Sequence, residues 1–86
     1  MTKEEIFDRI KTIMLRNDRV NDISIDESKI VMGANLIHDI GLDSLDVVEL
    51  EMTIEDEFDI EDITDEEWES TEYTMAGFVD LIAKHD

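Results

Sequence analysis

An all-α fold in one small domain is what this sequence predicts, and three observations predict it. The 86 residues contain no proline and few glycines, so little in the chain interrupts a helix. Apolar residues recur at three- and four-residue spacing, with little of the strict alternation that marks a strand. Thr2 with Glu5, and Thr64 with Glu67, are T-x-x-E pairs of the kind that cap the start of a helix. A chain this short has a marginal core, so its 42% of hydrophobic residues must be packed by a few helices.

The first helix is expected to begin at Lys3 and end near Arg16, before Asn17-Asp18. Ile6, Phe7, Ile10, Ile13 and Met14 give it one broad apolar face. Arg9, Lys11 and Arg16 fall on outward or flanking positions, where they can oppose an acidic neighbour. Residues 17–43 form a long connection between helices one and two. Its apolar anchors are Ile23, Ile25, Ile30, Val31, Met32, Leu36 and Ile37, with an extra helical turn expected over Ser28 to Met32. A connection of this length is uncommon unless it is functional or packed down.

The second helix is expected over Ser44 to Phe58. Gly41 suits a turn, and Asp43 and Ser44 are both good residues for a helix start. On a wheel of about 100° per residue, Val47, Leu50, Ile54 and Phe58 share a core-facing arc. Leu45, Val48 and Met52 fall on a second arc. Glu49 and Asp56 border it on one side, Glu51 and Glu55 on the other. An apolar stripe rimmed by acids suits transient docking, with contact in the centre and steering at the edge. The competing expectation is that the long connection covers this arc.

A short link, Asp59 to Ile63, leads to a brief third helix running to about Ser70. Trp68, the only tryptophan, reads as its core anchor, and Tyr73 fits an interior or an exposed position. Thr74 is placed to cap a fourth helix, whose apolar face is Met75, Phe78, Val79 and Ile82. Lys84 and His85 lie at its end, where positive charge is favoured.

The charge balance excludes several classes of function. Seven basic residues against 25 acidic ones give 7 − 25 = −18. That argues against nucleic acid and against an anionic membrane surface. It favours partners with basic patches. No Lys or Arg occurs from Ile30 to Ala83, so repulsion in this acidic stretch should be eased by divalent cations. A dedicated metal site is not expected. The Asp59 and Asp39 registers lack the EF-hand pattern, and His38 and His85 have no zinc-type spacing. There is no cysteine, hence no disulfide and no cysteine nucleophile. No apolar run suits membrane insertion and no signal peptide is visible, so a cytoplasmic protein is expected. A Ser-His-Asp hydrolase on Ser44 lacks the second glycine of a G-x-S-x-G elbow, and the chain reads as a non-enzyme.

The remaining chemistry centres on Ser44. A hydroxyl where a loop becomes a helix lies beside free amides and the positive end of the helix dipole, which favour a phosphate. Asp39-Ile40-Gly41-Leu42-Asp43-Ser44-Leu45-Asp46, then Val48-Glu49-Leu50 and Glu55-Asp56-Glu57-Phe58, resembles the phosphopantetheine attachment region of acyl carrier proteins. The resemblance extends through Ile82 and more loosely back to the first helix. It implies one carrier domain over residues 1–86, a four-helix bundle with a short third helix and a long first loop.

It further implies 4′-phosphopantetheine attached at Ser44, flanked by Asp43 and Leu45, and an acyl thioester on the thiol of that arm. A phosphopantetheinyl transferase would supply the catalysis and its magnesium. Asp46, Val48, Glu49, Met52 and Asp56 would meet acyl-processing enzymes that carry basic docking patches. Val47, Leu50, Ile54, Phe58, Trp68 and Phe78 would line the acyl pocket of a monomer. Glu51 and Trp68 stand where the family commonly has an apolar and a small residue, and Val47 where Thr is frequent. A specialised lipid or polyketide carrier is therefore an expectation beside the carrier of fatty acid biosynthesis. The alternatives are a peptidyl or D-alanyl carrier, and an acidic module that blocks a basic protein surface.

Overall fold

The computed structural model describes residues 1–16, 26–61 and 63–85. Among them are four α-helices: α1 (Lys3–Arg16), α2 (Ser44–Phe58), α3 (Asp65–Ser70) and α4 (Met75–His85). There is no strand among the described residues, only an isolated bridge between Asn35 and Thr74. The expected all-α bundle is what forms.

The helix starts follow from their caps. Thr2 Oγ1 accepts from the Glu5 amide, and Glu5 Oε1 accepts from the Thr2 amide. That hydrogen bonding holds the Glu5 carboxyl below its usual range. Thr64 and Glu67 repeat the reciprocal pattern at α3. Thr74 Oγ1 accepts from the Gly77 amide at 3.0 Å and so caps α4.

Helix α4 packs against α1, α1 against α2, and α3 against α4. Ile6, Ile10, Ile54, Met75, Phe78 and Ile82 are fully buried between them. The ring of Trp68 is buried as well, 4.9 Å from that of Phe78. Charge reinforces the α1–α2 pairing. Arg16 meets the Glu57 carboxylate at 2.6 Å, and the Arg9 guanidinium lies 4.9 Å above the Phe58 ring. Arg9 and Arg16 thus face the acidic helix, whereas Lys11 pairs with Glu27 of the connection and Lys3 with Asp80 of α4.

The connection is pinned chiefly by backbone. The Met75 amide donates to Ala34 O, the Ala76 amide to Met32 O, and the Leu36 amide to Tyr73 O. The otherwise unpaired first turn of α4 is thereby satisfied. Ile30, Ala34 and Leu36 are buried, whereas Val31, Met32 and Ile37 are exposed. Those last three were expected as anchors. At Met32 it is the carbonyl that meets α4, and the side chain stays in solvent. The short helical turn lies at Glu27–Lys29, started by Asp26, and does not extend to Met32. Ile23 and Ile25 lie outside the described residues.

Candidate functional site

The loop before α2 is built around Asn35. Its side-chain oxygen accepts from the amides of Ile37 and His38, both at 2.9 Å. Its own amide donates to Asp39 Oδ2 at 2.7 Å. Its carbonyl accepts from Asp39 and Ile40. Its side-chain nitrogen donates to the carbonyl of Glu72 in the α3–α4 link. One residue therefore folds the loop and ties it to the α3–α4 link. The sequence reading passed over Asn35. The available signal was an Asn followed four residues later by an Asp in a connection with no other organiser. The chain then turns at Gly41, whose φ of 95° suits glycine, and the Leu42 amide returns to Leu36 O.

Two residues competed for the cap of α2, and Asp43 takes it. Its Oδ1 accepts from the Asp46 amide at 2.8 Å, and Asp46 Oδ2 accepts from the Asp43 amide at 3.2 Å. Ser44 is consequently the first residue of the helix proper and is exposed. Its hydroxyl is not the one that closes the helix end. Of the four amides that a helix start leaves unpaired, this cap uses those of Asp43 and Asp46. Those of Ser44 and Leu45 remain without a partner among the described residues. Two carboxylates already face the positive end of the dipole. A phosphate here would be kept by a covalent bond to Ser44 rather than by charge, which departs from the simpler electrostatic expectation.

Beyond Ser44 the two arcs of α2 separate. Val47, Leu50 and Ile54 are buried, and Phe58 is half-buried under Arg9. Leu45, Val48 and Met52 are 72%, 49% and 62% exposed. No described part of the long connection covers them. Glu49 and Asp56 are exposed beside this stripe. Asp46 is not: it is buried, with its carboxylate held by the Asp43 amide. It shapes the helix start and is no part of an exposed rim.

Glu51 and Glu55 are also half-buried. Burial pushes the Glu51 carboxyl up to about 7, with the charges of Asp65 and Glu55 adding to the rise. Burial also raises Glu55, helped by Asp56. Trp68 of α3 and Phe78 of α4 meet in the interior with their ring planes tilted by 56°.

No protein-family model matches the chain. Among curated proteins, an acyl carrier protein of Petrotoga mobilis is 36% identical over 84 residues, covering 98% of this chain and 91% of that protein. An acyl carrier protein of Guillardia theta is 41% identical over 61 residues, covering 71% of this chain and 69% of that protein. The solved structure of the acyl carrier protein from Enterococcus faecalis superposes with a TM-score of 0.72 at 30% identity, over 100% of both chains. With the four-helix architecture and an exposed serine opening α2, these likenesses establish that the chain belongs to the acyl carrier protein family.

Proposed function

We propose that residues 1–86 act as a single carrier domain bearing 4′-phosphopantetheine on Ser44, and that this arm carries acyl intermediates as thioesters. The observation that carries the reading is the division of labour at the start of α2: Asp43 closes the helix and Ser44 is left exposed beside it. The Ser44 oxygen has the position and solvent access to form a phosphodiester. When bound, the arm supplies the thiol that this cysteine-free chain lacks. The protein contributes the hydroxyl and its placement, and a phosphopantetheinyl transferase contributes the catalysis.

Leu45, Val48 and Met52, with Glu49 and Asp56 at their edge, are the proposed surface for that transferase and for acyl-processing enzymes with basic patches. Weak, steered contacts of this type let partners exchange quickly. Val47, Leu50, Ile54, Phe58, Trp68 and Phe78 are the proposed apolar surroundings of the acyl chain. The setting proposed is fatty acid biosynthesis or a related lipid or polyketide route, with the protein a cytoplasmic monomer and not itself a catalyst. No helix among the described residues is long and apolar enough to cross a membrane.

The test is mass spectrometry of the protein coexpressed with a broad-specificity phosphopantetheinyl transferase. Wild type should gain one phosphopantetheine mass, and Ser44→Ala should gain none. An unmodified wild type, or a modified Ser44→Ala, overturns the reading.

A further inference from the structure

The chain that leads from the core to Ser44 has few apolar anchors. Leu36 is buried and Ile40 and Leu42 are half-buried, but Ile37, His38 and Asp39 between them are exposed. What fixes the path of this segment is polar, and most of it converges on Asn35. The Asn35 side-chain oxygen accepts from the amides of Ile37 and His38, and its carbonyl from those of Asp39 and Ile40. Its own amide returns to Asp39 Oδ2. The loop so folded is closed by the bond from the Leu42 amide to Leu36 O at 3.0 Å. Asp43 and then Ser44 follow directly on that closure.

The start of the loop is fastened to the α3–α4 link. Asn35 Nδ2 donates to Glu72 O at 3.3 Å, and the Leu36 amide to Tyr73 O at 2.7 Å. Glu72 and Tyr73 have φ of 56° and 57° in succession. That region is disfavoured for residues with a side chain and persists only where the surroundings over-determine it. Here the carbonyls of both residues are engaged by the loop. Asn35 thus joins a constrained link to the segment that enters α2, and its hydrogen bonds among the described residues go to the loop and to Glu72, not to α2 itself.

We propose that Asn35 is a positioning residue for the loading of Ser44, a role that rests on the carrier reading: it holds the loop from Leu36 to Leu42 in the register that presents the Ser44 oxygen to a transferase. The donor in that step is a phosphopantetheine joined to a nucleotide through a diphosphate. The Ser44 oxygen forms a bond to the phosphorus that bears the pantetheine, and the bond from that phosphorus to the bridging oxygen breaks. The nucleotide phosphate leaves with the bridging oxygen, and the serine proton passes to a base on the transferase. Such a displacement needs the attacking oxygen about 3–3.5 Å from phosphorus, and a misplacement of about 1 Å costs on the order of 100-fold in rate. Without Asn35 the chain entering Asp43 is fastened by the Leu42–Leu36 closure alone. Docking depends on Leu45, Val48 and Met52 instead, so the loss of Asn35 belongs to kcat and not to KM.

The test is steady-state loading of the apo protein by a broad-specificity phosphopantetheinyl transferase, with kcat and KM for the carrier measured separately. Circular dichroism sets a temperature at which each variant is folded. Asn35→Ala should lower kcat by about tenfold and leave KM within about twofold of wild type. Asn35→Ser should recover most of that loss, because a serine hydroxyl also accepts from amides shortly after it in the chain. Thr2→Ala removes the cap of α1, a destabilisation far from the loop, and should load with the kcat of wild type. Asp39→Ala takes away the partner of the Asn35 amide and should lower kcat in the same sense, which decides the matter where Asn35→Ala does not fold. Four results overturn the proposal: wild-type kcat in the folded loop variants, a loss confined to KM, an Asn35→Ser no faster than Asn35→Ala, or an equal loss of kcat in Thr2→Ala. A wild type that is never loaded overturns the carrier reading and this role with it, whereas a loaded wild type matched by Asn35→Ala overturns this role alone.

Discussion

Asp43 and Asp46 hold each other's backbone amides across the first turn of α2, at 2.8 and 3.2 Å. Ser44 lies between them in sequence and is left exposed. The pair explains how a serine at a helix start can stay available: the cap it might have supplied is provided by its neighbour. Replacing Asp43 by Ala should lower stability by about 1 kcal/mol, the usual effect of losing a cap, or about 4–8 °C in Tm for a domain of this size. Asp43→Ser should restore most of that. Thermal melts followed by circular dichroism check both, and an unchanged Tm in Asp43→Ala would contradict the capping role.

The exposed stripe predicts a separation of folding from recognition. Leu45→Ser and Met52→Ser should change stability by no more than about 0.5 kcal/mol, because neither side chain is buried. Loading by the transferase should suffer by more than about 1 kcal/mol in apparent transition-state binding, as when a central interface residue is removed. Glu49→Lys should act differently, slowing association and flattening its dependence on salt. Loading kinetics at several salt concentrations distinguish the two effects.

Glu51 gives stability a definite pH slope. Its carboxyl is raised to about 7 in the fold, from 4.5, so the folded state binds more protons than the unfolded state between those values. Stability should therefore fall as pH rises across that interval and level off above it. Glu51→Gln should raise Tm by a few degrees at about pH 8 and leave it nearly unchanged at about pH 4.5. Melting curves of both proteins over the range test the sign, and a Glu51→Gln that is no more stable at the higher pH would refute it.

Gly77 is required for close approach. A Cβ added there would collide with the backbone carbonyl of Thr71, which cannot swing away as the end of a side chain can. Ala would favour the helix by about 1 kcal/mol, but forcing the backbones apart costs about 1–3 kcal/mol. The clash should win, and Gly77→Ala should melt lower than wild type. An equal or higher Tm would show that the α3–α4 link yields easily.

Much of this protein is legible in its sequence because the deciding interactions are local. Capping boxes reach across three residues, and the helical period is set by the backbone. Thr2, Thr64 and Thr74 therefore mark helix starts that the structure places where the sequence does. The two arcs of α2 follow from the same geometry, whereas the exposure of Leu45, Val48 and Met52 depends also on where the long connection runs.

What tertiary structure alone decided involves residues far apart in the chain. Asn35 organises the loop before Ser44 through bonds that include Glu72, 37 residues away. Val31, Met32 and Ile37 are as apolar as Ile30 and Leu36, yet the loop's backbone pairing with the start of α4 leaves them outside. Glu51 looks like another surface acid, but burial raises its carboxyl and the charge of Asp65 adds to the rise. Composition supplies the charges and period supplies the helices. Which carboxylates lose their water, and so change their chemistry, depends on packing between segments that no local pattern encodes.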